Sequence, residues 1–423
     1  MTRLWHPFAQ MGAVRSGEFI VDRGEDVWVW DTEGRRYLDA TASLWYVNVG
    51  HGRTEIRDAV ARQMERLSAY SAFGDFATEP AIRLADRLAG LAPVDDARVF
   101  LTSGGGDSID TAVKLARRYW FEVGKPERTH VISRVNGYHG THGYGTAIAG
   151  IPANRHGNGP LLGEQSVVDY DSVEALDAAI QEIGPERVAA FFVEPVIGAG
   201  GVYPPPDGYM EGVADVCRRY GVLLVVDSVI CAFGRVGAWF GPERWDVRPD
   251  MITFAKGVTS GYLPLGGVVV DGRIAEPFWS SPQAPAFRHG ATYAAHTTCC
   301  AAALANLDIL EEEQLVRRGQ ELEGDLLAAL SELDDHPLVA GARGGVGLLA
   351  AVEIDPELLA ARPSAVGEVF SLARERGVLV RALATSVAVS PPLTATPEHF
   401  ALIAEGLAGA LDALAQRAGS PVA

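Results

Sequence analysis

Two apolar segments that each lead to a charged residue lie within the stretch from Gly221 to Lys256, and they constrain the fold more than any other feature. Residues 222–226 and 251–254 have the pattern of buried strands. Asp227 follows the first segment and Lys256 comes shortly after the second. In open α/β sheets, ligands bind outside the carboxyl ends of the strands. We therefore predict that this acid and this amine belong to one binding site.

An alternation of strand and helix patterns begins at Ala97. Apolar segments at 99–101, 130–135 and 188–193 are expected to be strands, and residues 108–121 have the 3.6-residue apolar spacing of a helix. Such alternation indicates a parallel sheet covered by helices on both faces. We therefore predict an α/β fold with a mostly parallel central sheet.

Polar side chains also follow other predicted strands. Tyr138 comes after the strand at 130–135, and Glu194 directly follows the strand at 188–193. Singly, each is readily explained as a packing residue or a solvated strand end, but together with Asp227 they indicate a site. Lys256 carries most weight, because lysine is rarely buried without a role and a desolvated lysine has the lowered pKa that suits Schiff-base chemistry.

Three consecutive glycines, Gly104, Gly105 and Gly106, separate a predicted strand from a predicted helix. A strand, a glycine-rich turn and a helix N-terminus commonly cradle a phosphate, because bare backbone N–H groups point at the anion. A tight turn without a ligand explains the same glycines equally well. Both alternatives stay open at this point.

The composition excludes several classes of partner. The formal net charge of −18 disfavours nucleic acids and anionic membrane surfaces. The four cysteines form no C-x-x-C pair, so a reducing compartment and a role in the core are expected. Because neither a signal-peptide pattern nor a membrane-length apolar run is found, we expect a soluble, cytoplasmic protein. We also expect no metal site.

Several motifs together resemble the class III aminotransferases, which are pyridoxal-phosphate enzymes of fold type I. They are, in chain order, SGGGDSIDTAVKLAR, NGYHGTHG, VEPV, VVDSVICAFGRVG, ITFAKG and HGATYAAH. The resemblance extends from the LWHPFAQM segment near the N-terminus to Pro391. The D-x-V-x-x-x-F-G-R element, with a lysine about thirty residues later, is highly specific for this family.

The resemblance implies a role for each residue around the cofactor. Lys256 would bind pyridoxal phosphate as a Schiff base and move the proton during transfer, and Asp227 would pair with the pyridine nitrogen. Val229 and Tyr138 would cover the two ring faces. Backbone N–H groups for the phosphate would come from Gly105 and Gly106.

The resemblance also implies contacts beyond one cofactor ring. Thr292 matches a threonine that reaches the phosphate from a neighbouring subunit, which predicts a homodimer or a dimer of dimers with shared active sites. Glu194 matches an acidic residue beside the cofactor. Arg381 matches an arginine that binds a substrate carboxylate, a task that suits a bidentate guanidinium.

Two departures from the family pattern concern the cofactor. Gly106 stands where the family usually has serine, so a phosphate-facing hydroxyl is absent, which leaves Ser108 or the backbone alone to serve the phosphate. Ser228 stands where a glutamate usually follows the aspartate. The lysine, the aspartate and the stacking tyrosine are retained, and activity is expected.

The resemblance implies three segments. Residues 1–55 are expected to form the N-terminal part of a small domain and an active-site loop, residues 56–300 the large domain that binds pyridoxal phosphate, and residues 301–423 the C-terminal part of the small domain. Both termini would thus build the smaller α/β domain.

Substrates are expected to enter past an aromatic mouth formed by Phe8, Trp45 and Tyr46. With Arg381, this mouth favours an ω-amino acid or amine as donor and pyruvate or a similar keto acid as acceptor, in a ping-pong reaction. The alternatives within the fold are a diaminopelargonate-type aminotransferase, which usually has tyrosine at the position of Phe8, and a racemase, aminomutase or decarboxylase.

Two alternatives from other classes are disfavoured. A dinucleotide-dependent oxidoreductase would need G-x-G-x-x-G spacing, which the segment GGGDS lacks. A sensor that binds the cofactor without catalysis would need neither Arg381 nor an aromatic mouth.

Overall fold

The computed structural model describes residues 2–15 and 17–418. Its helices are α1 (Met11–Val14), α2 (Ala42–Trp45), α3 (Thr54–Arg66), α4 (Glu79–Leu91), α5 (Gly105–Glu122), α6 (Gly143–Ala147), α7 (Pro152–Arg155), α8 (Val173–Ile183), α9 (Tyr209–Tyr220), α10 (Gly272–Trp279), α11 (Thr297–Glu312), α12 (Leu315–Glu321), α13 (Glu323–Ser331), α14 (Pro356–Ala361), α15 (Ala365–Glu375) and α16 (Pro397–Ala418). Its strands are β1 (Val21–Glu25), β2 (Trp28–Asp31), β3 (Arg36–Asp39), β4 (Arg98–Thr102), β5 (His130–Arg134), β6 (Gln165–Val168), β7 (Val188–Val193), β8 (Leu223–Asp227), β9 (Met251–Phe254), β10 (Gly266–Val270), β11 (Val339–Arg343), β12 (Ala350–Ile354), β13 (Val378–Leu379), β14 (Arg381–Ala382) and β15 (Ser386–Val389).

The central sheet has seven strands in the order β4-β10-β9-β8-β7-β5-β6. Strand β10 runs antiparallel to both of its neighbours, and the strands from β9 to β6 pair in parallel. All residues of β7, β8 and β9 are buried. Continuous apolar runs of this kind are expected where helices cover both faces of a parallel sheet. The α/β class with a mostly parallel sheet is confirmed.

Alternate residues of the sheet pack against helices on opposite faces. Leu223 and Val225 of β8 belong to one core cluster with Ile109, Ala112 and other residues of α5. Leu224 and Val226 belong to a second cluster with residues of α8 and α9. This two-residue alternation fixes the register of β8 and therefore the position of Asp227 at its end.

Strands from both ends of the chain meet in one smaller sheet. Its order is β1-β2-β3-β13, and Leu38 of β3 lies opposite Val378 of β13 in parallel pairing. A third sheet has the order β11-β12-β15-β14. The predicted segment limits at 55 and 300 stay a prediction, and the outer limits at residues 1 and 423 lie outside the described residues.

Several boundaries differ from the predicted ones. Helix α5 begins at Gly105 instead of Ser108, and no side chain caps its N-terminus. The strands β6 and β10 were not predicted. Within the described residues no helix has both the length and the apolar character needed to cross a membrane. All four cysteines are free and buried, as the expected core role requires.

Candidate active site

One cavity, enclosing about 140 Å³, lies where the carboxyl ends of β8 and β9 face the N-terminus of α5. Register explains part of this arrangement, because Asp227 lies opposite Thr253 in neighbouring parallel strands. The cavity brings together residues that are up to 151 positions apart in the chain. The predicted site residues that line it are Gly105, Gly106, Tyr138, Glu194, Asp227, Val229 and Lys256.

The Asp227 carboxylate is only 3% exposed and is held by three donors. Nδ1 of His139 lies 2.7 Å from Oδ2, while the Thr253 hydroxyl and the Val229 N–H donate to Oδ1 at 3.0 and 3.1 Å. A carboxylate with this many partners keeps one orientation. It can therefore face a cationic ring nitrogen in the cavity.

His139 is the contact to Asp227 that sequence reasoning missed. It is 1% exposed, lines the cavity and lies 88 positions from Asp227 in the chain. Its position directly after Tyr138, in a loop that follows β5, was the available signal. Pairing of the two side chains could be seen only after β5 and β8 had been placed in one sheet.

Lys256 follows β9 in a tight 3₁₀ turn, with a positive φ of 45°. The side chain is half-buried and lines the cavity. Burial lowers the pKa of Lys256, and the Asp227 and Glu194 carboxylates oppose this shift only in part. No hydrogen bond or ion pair joins its amine to another of the described residues. Such an amine is poised to act as a nucleophile and as a proton carrier.

Two buried asparagines fix the turn that carries Lys256. Asn306 on α11 donates from Nδ2 to the carbonyl oxygens of Gly257 and Val258, at 2.8 and 3.0 Å. A Cβ atom on Gly257 would lie 2.5 Å from Nδ2 of Asn48. Because only glycine permits this approach, the turn can pack directly against the segment that precedes α3.

The N-terminus of α5 presents bare backbone to the cavity. A Cβ atom on Gly105 would lie 2.9 Å from the Val229 side chain, so glycine is needed for this helix to approach β8 closely. The Ser108 hydroxyl does not face the cavity. It bonds with the Thr102 hydroxyl at 2.9 Å and also contacts the carbonyl oxygen of Gly104, at 2.9 Å. Ser108 therefore does not replace a hydroxyl at position 106.

Glu194 is tied to the loops around the cavity. Its carboxylate accepts the N–H groups of Tyr138 and Gly198, each at 3.0 Å. Burial raises the pKa of Glu194, with His139 acting in the opposite direction. Burial also raises the pKa of the Tyr138 phenol, and the nearby Asp227 charge adds to that shift.

Four predicted site residues lie outside the cavity lining. Thr292 is exposed and lines a separate surface pocket with Phe73 and Tyr293. Phe8 is 68% exposed. Trp45 is less exposed than a residue at an open aromatic mouth would be, since it is 4% exposed and packs in a cluster that includes Ile230; its role in substrate binding stays a prediction. Packing in this cluster removes the apolar surface of the indole from water.

Arg381, at the start of β14, is partly exposed to solvent. Partial burial of its guanidinium lowers the pKa of Arg381, and the nearby Tyr138 opposes this shift. No hydrogen bond or ion pair engages this guanidinium within residues 2–15 and 17–418. An unpaired cation beside a cavity residue is able to receive a carboxylate.

The cavity fits pyridoxal phosphate on the chemistry of its walls. Backbone N–H groups at a helix N-terminus suit a phosphate, and Asp227 suits a protonated ring nitrogen. Lys256 suits an aldehyde, and Val229 and Tyr138 offer apolar and aromatic surface for a flat ring.

Comparison with known proteins agrees with this chemistry. The family model for class III aminotransferases matches residues 11–411. A putrescine–pyruvate aminotransferase of Pseudomonas aeruginosa is 39% identical over 91% of this chain and 88% of that protein.

Solved structures show the same similarity. An (S)-enantioselective omega-transaminase from Thermomicrobium roseum has a TM-score of 0.93 and 41% identity, covering 97% of this chain and 96% of that one. An amine transaminase from an uncultivated Pseudomonas species, solved with bound pyridoxal phosphate, has a TM-score of 0.92 and 35% identity over 98% of this chain and 99% of that one. The chain thus belongs to the class III aminotransferase family and is a pyridoxal-phosphate-dependent transaminase.

Proposed function

We propose that the enzyme transfers an amino group from an ω-amino acid or amine to pyruvate or a similar keto acid. The observation that carries this proposal is the Arg381 guanidinium, which has no hydrogen-bond or ion-pair partner among the described residues and lies close enough to the cavity residue Tyr138 to feel its charge, so that it can receive the carboxylate of such substrates. The names of the similar proteins support it, since they include a putrescine–pyruvate aminotransferase and an omega-transaminase.

Lys256 is proposed as the residue that binds the cofactor and carries the proton. Bound pyridoxal phosphate supplies an aldehyde that condenses with amines and a ring that withdraws electrons from the reacting carbon. With the cofactor bound, the Lys256 amine would take up the proton from the substrate carbon and release it again within the cavity. Its lowered pKa favours the neutral form that this task needs.

Asp227 is proposed to hold the ring nitrogen in its protonated state, with His139 and Thr253 fixing the carboxylate. Val229 and Tyr138 would lie against the two faces of the ring. Glu194 would act through the backbone, because its two hydrogen bonds fix the N–H groups of Tyr138 and Gly198.

The phosphate is proposed to bind at Gly105 and Gly106, whose backbone lines the cavity at the start of α5. Thr292 would complete this site in the partner subunit of a homodimer or of a dimer of dimers. Its exposure, away from the cavity of its own chain, supports that proposal. The four free, buried cysteines favour a reducing compartment, and we propose a cytoplasmic location.

Substrate selection is proposed to depend on Arg381 for the carboxylate and on Phe8 for apolar contact. Trp45 would support the substrate site indirectly, through the apolar cluster that it shares with the cavity residue Ile230. This arrangement suits both a donor with a carboxylate and an amine donor without one.

A donor panel tests the substrate proposal. Purified enzyme supplied with pyridoxal phosphate would be assayed for alanine formation from pyruvate with β-alanine, 4-aminobutyrate and 1-phenylethylamine, and in parallel with 2-oxoglutarate. We expect alanine from at least one donor. If none of the three donors is turned over, the proposal is refuted. Conversion of a chiral amine without any acceptor would indicate a racemase. Turnover only with precursors of 7,8-diaminopelargonate would indicate a diaminopelargonate-type aminotransferase.

A further inference from the structure

Gly106 has no side chain, and the space that a side chain would occupy is filled by His142. A Cβ atom built on Gly106 would lie 3.0 Å from both Cδ2 and Nε2 of the His142 ring. Gly106 itself lines the cavity at the first turn of α5. An imidazole nitrogen therefore lies next to the helix N-terminus at the position from which a serine at 106 would extend its hydroxyl.

The loop that carries His142 is firmly held against α5. His142 immediately precedes α6, and the N–H groups of Tyr144 and Gly145 both donate to Oδ1 of Asp110, at 3.0 Å. Gly140, in the same loop, approaches so closely that a Cβ atom on it would lie 3.1 Å from Cα of Gly106. These contacts fix the distance between the His142 backbone and the cavity.

The two ring nitrogens of His142 face different groups. Nδ1 lies 3.3 Å from Oδ1 of Asp107 in the first turn of α5, while Nε2 lies on the side of Gly106. A protonated imidazole donates from both nitrogens. With Asp107 at one nitrogen and an anion at the other, the ring would donate to two negatively charged acceptors, which is a strong hydrogen-bonding arrangement.

We propose that His142 donates a hydrogen bond from Nε2 to the phosphate of the cofactor and so replaces the side-chain donor that Gly106 lacks. This inference rests on the proposed binding of the phosphate at Gly105 and Gly106. Ser108, the other hydroxyl in this turn, is already bonded to Thr102 and to backbone carbonyl oxygens. The charged group that contacts the ring is Asp107, while Asp110 on the same helix is engaged by the N–H groups of the loop.

Cofactor affinity, measured without turnover, tests the proposal. Full-length apoenzyme would be titrated with pyridoxal phosphate and, separately, with pyridoxal, which lacks the phosphate. The proteins would be the wild type, H142A, G106S, the double variant H142A/G106S, and H156A as a control in which another exposed histidine is removed. Far-ultraviolet circular dichroism and the Tm would verify that each variant is folded.

We expect H142A to raise the Kd for pyridoxal phosphate by about tenfold or more, the loss typical of one hydrogen bond to a charged group. The Kd for pyridoxal should not change. G106S in the H142A background should recover affinity for pyridoxal phosphate, because the serine then has room, whereas G106S alone meets the ring and should bring no gain. H156A should match the wild type.

Two other results would overturn the inference, and they differ from each other. If the wild type prefers pyridoxal phosphate over pyridoxal and H142A keeps that preference, the phosphate site stands and His142 has no part in it. If the wild type binds both compounds equally, the proposed phosphate site at Gly105 and Gly106 is itself wrong.

Discussion

Nδ1 of His139 lies 2.7 Å from Oδ2 of Asp227, and both side chains are almost completely buried beside the cavity. An ionised carboxylate only accepts hydrogen bonds, so Nδ1 of His139 is the donor in this contact. The pair joins the loop after β5 to the end of β8. We therefore expect His139 to be a positioning residue that orients the carboxylate proposed to face the ring nitrogen of the cofactor.

Replacing His139 with alanine should lower kcat by about tenfold to a hundredfold, because a hydrogen bond to a charged group is lost at the residue proposed to hold the ring nitrogen. The absorption spectrum of the bound cofactor should change as well, which a purely structural role would not cause. His130→Ala offers a matched control, since it removes a histidine that bonds to Ser166 at the start of β5. An unchanged kcat and spectrum in His139→Ala would show that Asp227 keeps its orientation without this contact.

Gly257→Ala should destabilise the fold by about 1–3 kcal/mol, because its Cβ would lie 2.5 Å from the Asn48 side chain in a well-packed region. Gly367→Ala is the matched control. Gly367 lies within α15 and has no atom within 4 Å of the added Cβ, so alanine should stabilise by about 0.5–1 kcal/mol. Urea unfolding of the two variants measures both effects. Equal stability of the two variants would contradict the close packing around the Lys256 turn.

The apoenzyme of Lys256→Met should have a higher Tm than wild-type apoenzyme near neutral pH. Burial lowers the pKa of Lys256 below its ordinary value of about 10.5, so the folded chain binds fewer protons than the unfolded chain between these two values. The free energy of unfolding of the wild type therefore rises with pH through this window, and the cost of burying the amine applies fully below it.

The difference in Tm between these two apoenzymes should shrink as the pH approaches 10.5. Thermal melting of both proteins from neutral to alkaline pH measures it. A difference that does not vary with pH would mean that the amine is not desolvated.

Arg381→Gln should impair reaction with β-alanine far more than reaction with 1-phenylethylamine, because only the former donor has a carboxylate. The loss of one bidentate pair is expected to reduce kcat/KM by about tenfold to a hundredfold. The donor half-reaction alone, followed by the spectrum of the cofactor, keeps the carboxylate of the acceptor out of the measurement. Equal losses with both donors would assign Arg381 a role other than carboxylate binding.

Much of the sheet could be predicted because its strands are short, continuous apolar runs. The segments 188–193 and 251–254 were predicted with the bounds that β7 and β9 have in the structure. Asp227 and Lys256 could be assigned to one sheet edge for the same reason. Strand β10 was missed, since the glycines at its start resemble a turn, although they allow close contact with Phe254 and the backbone of Phe100.

Contacts that depend on tertiary packing could not be predicted from local pattern. The start of α5 at Gly105 conflicts with the low helix propensity of glycine, but the Val229 side chain leaves no room for a larger residue. Trp45 was expected at the surface because its segment contains turn residues, whereas the structure buries it. The carboxylate-binding role expected of Arg381 was implied by family resemblance and could not have been derived from spacing.

The attachment of the cofactor to Lys256 is the central claim, and the composition makes it unusually direct to test. The chain contains three lysines, Lys114, Lys125 and Lys256. Lys114 contacts Nδ1 of His289 at 3.0 Å, and Lys125 lies over the Trp120 ring, so neither lines the cavity. Holoenzyme would be reduced with borohydride, digested and analysed by mass spectrometry. We expect a phosphopyridoxyl group on the peptide that contains Lys256, whereas a modification confined to Lys114 or Lys125 would show that the cofactor is attached elsewhere.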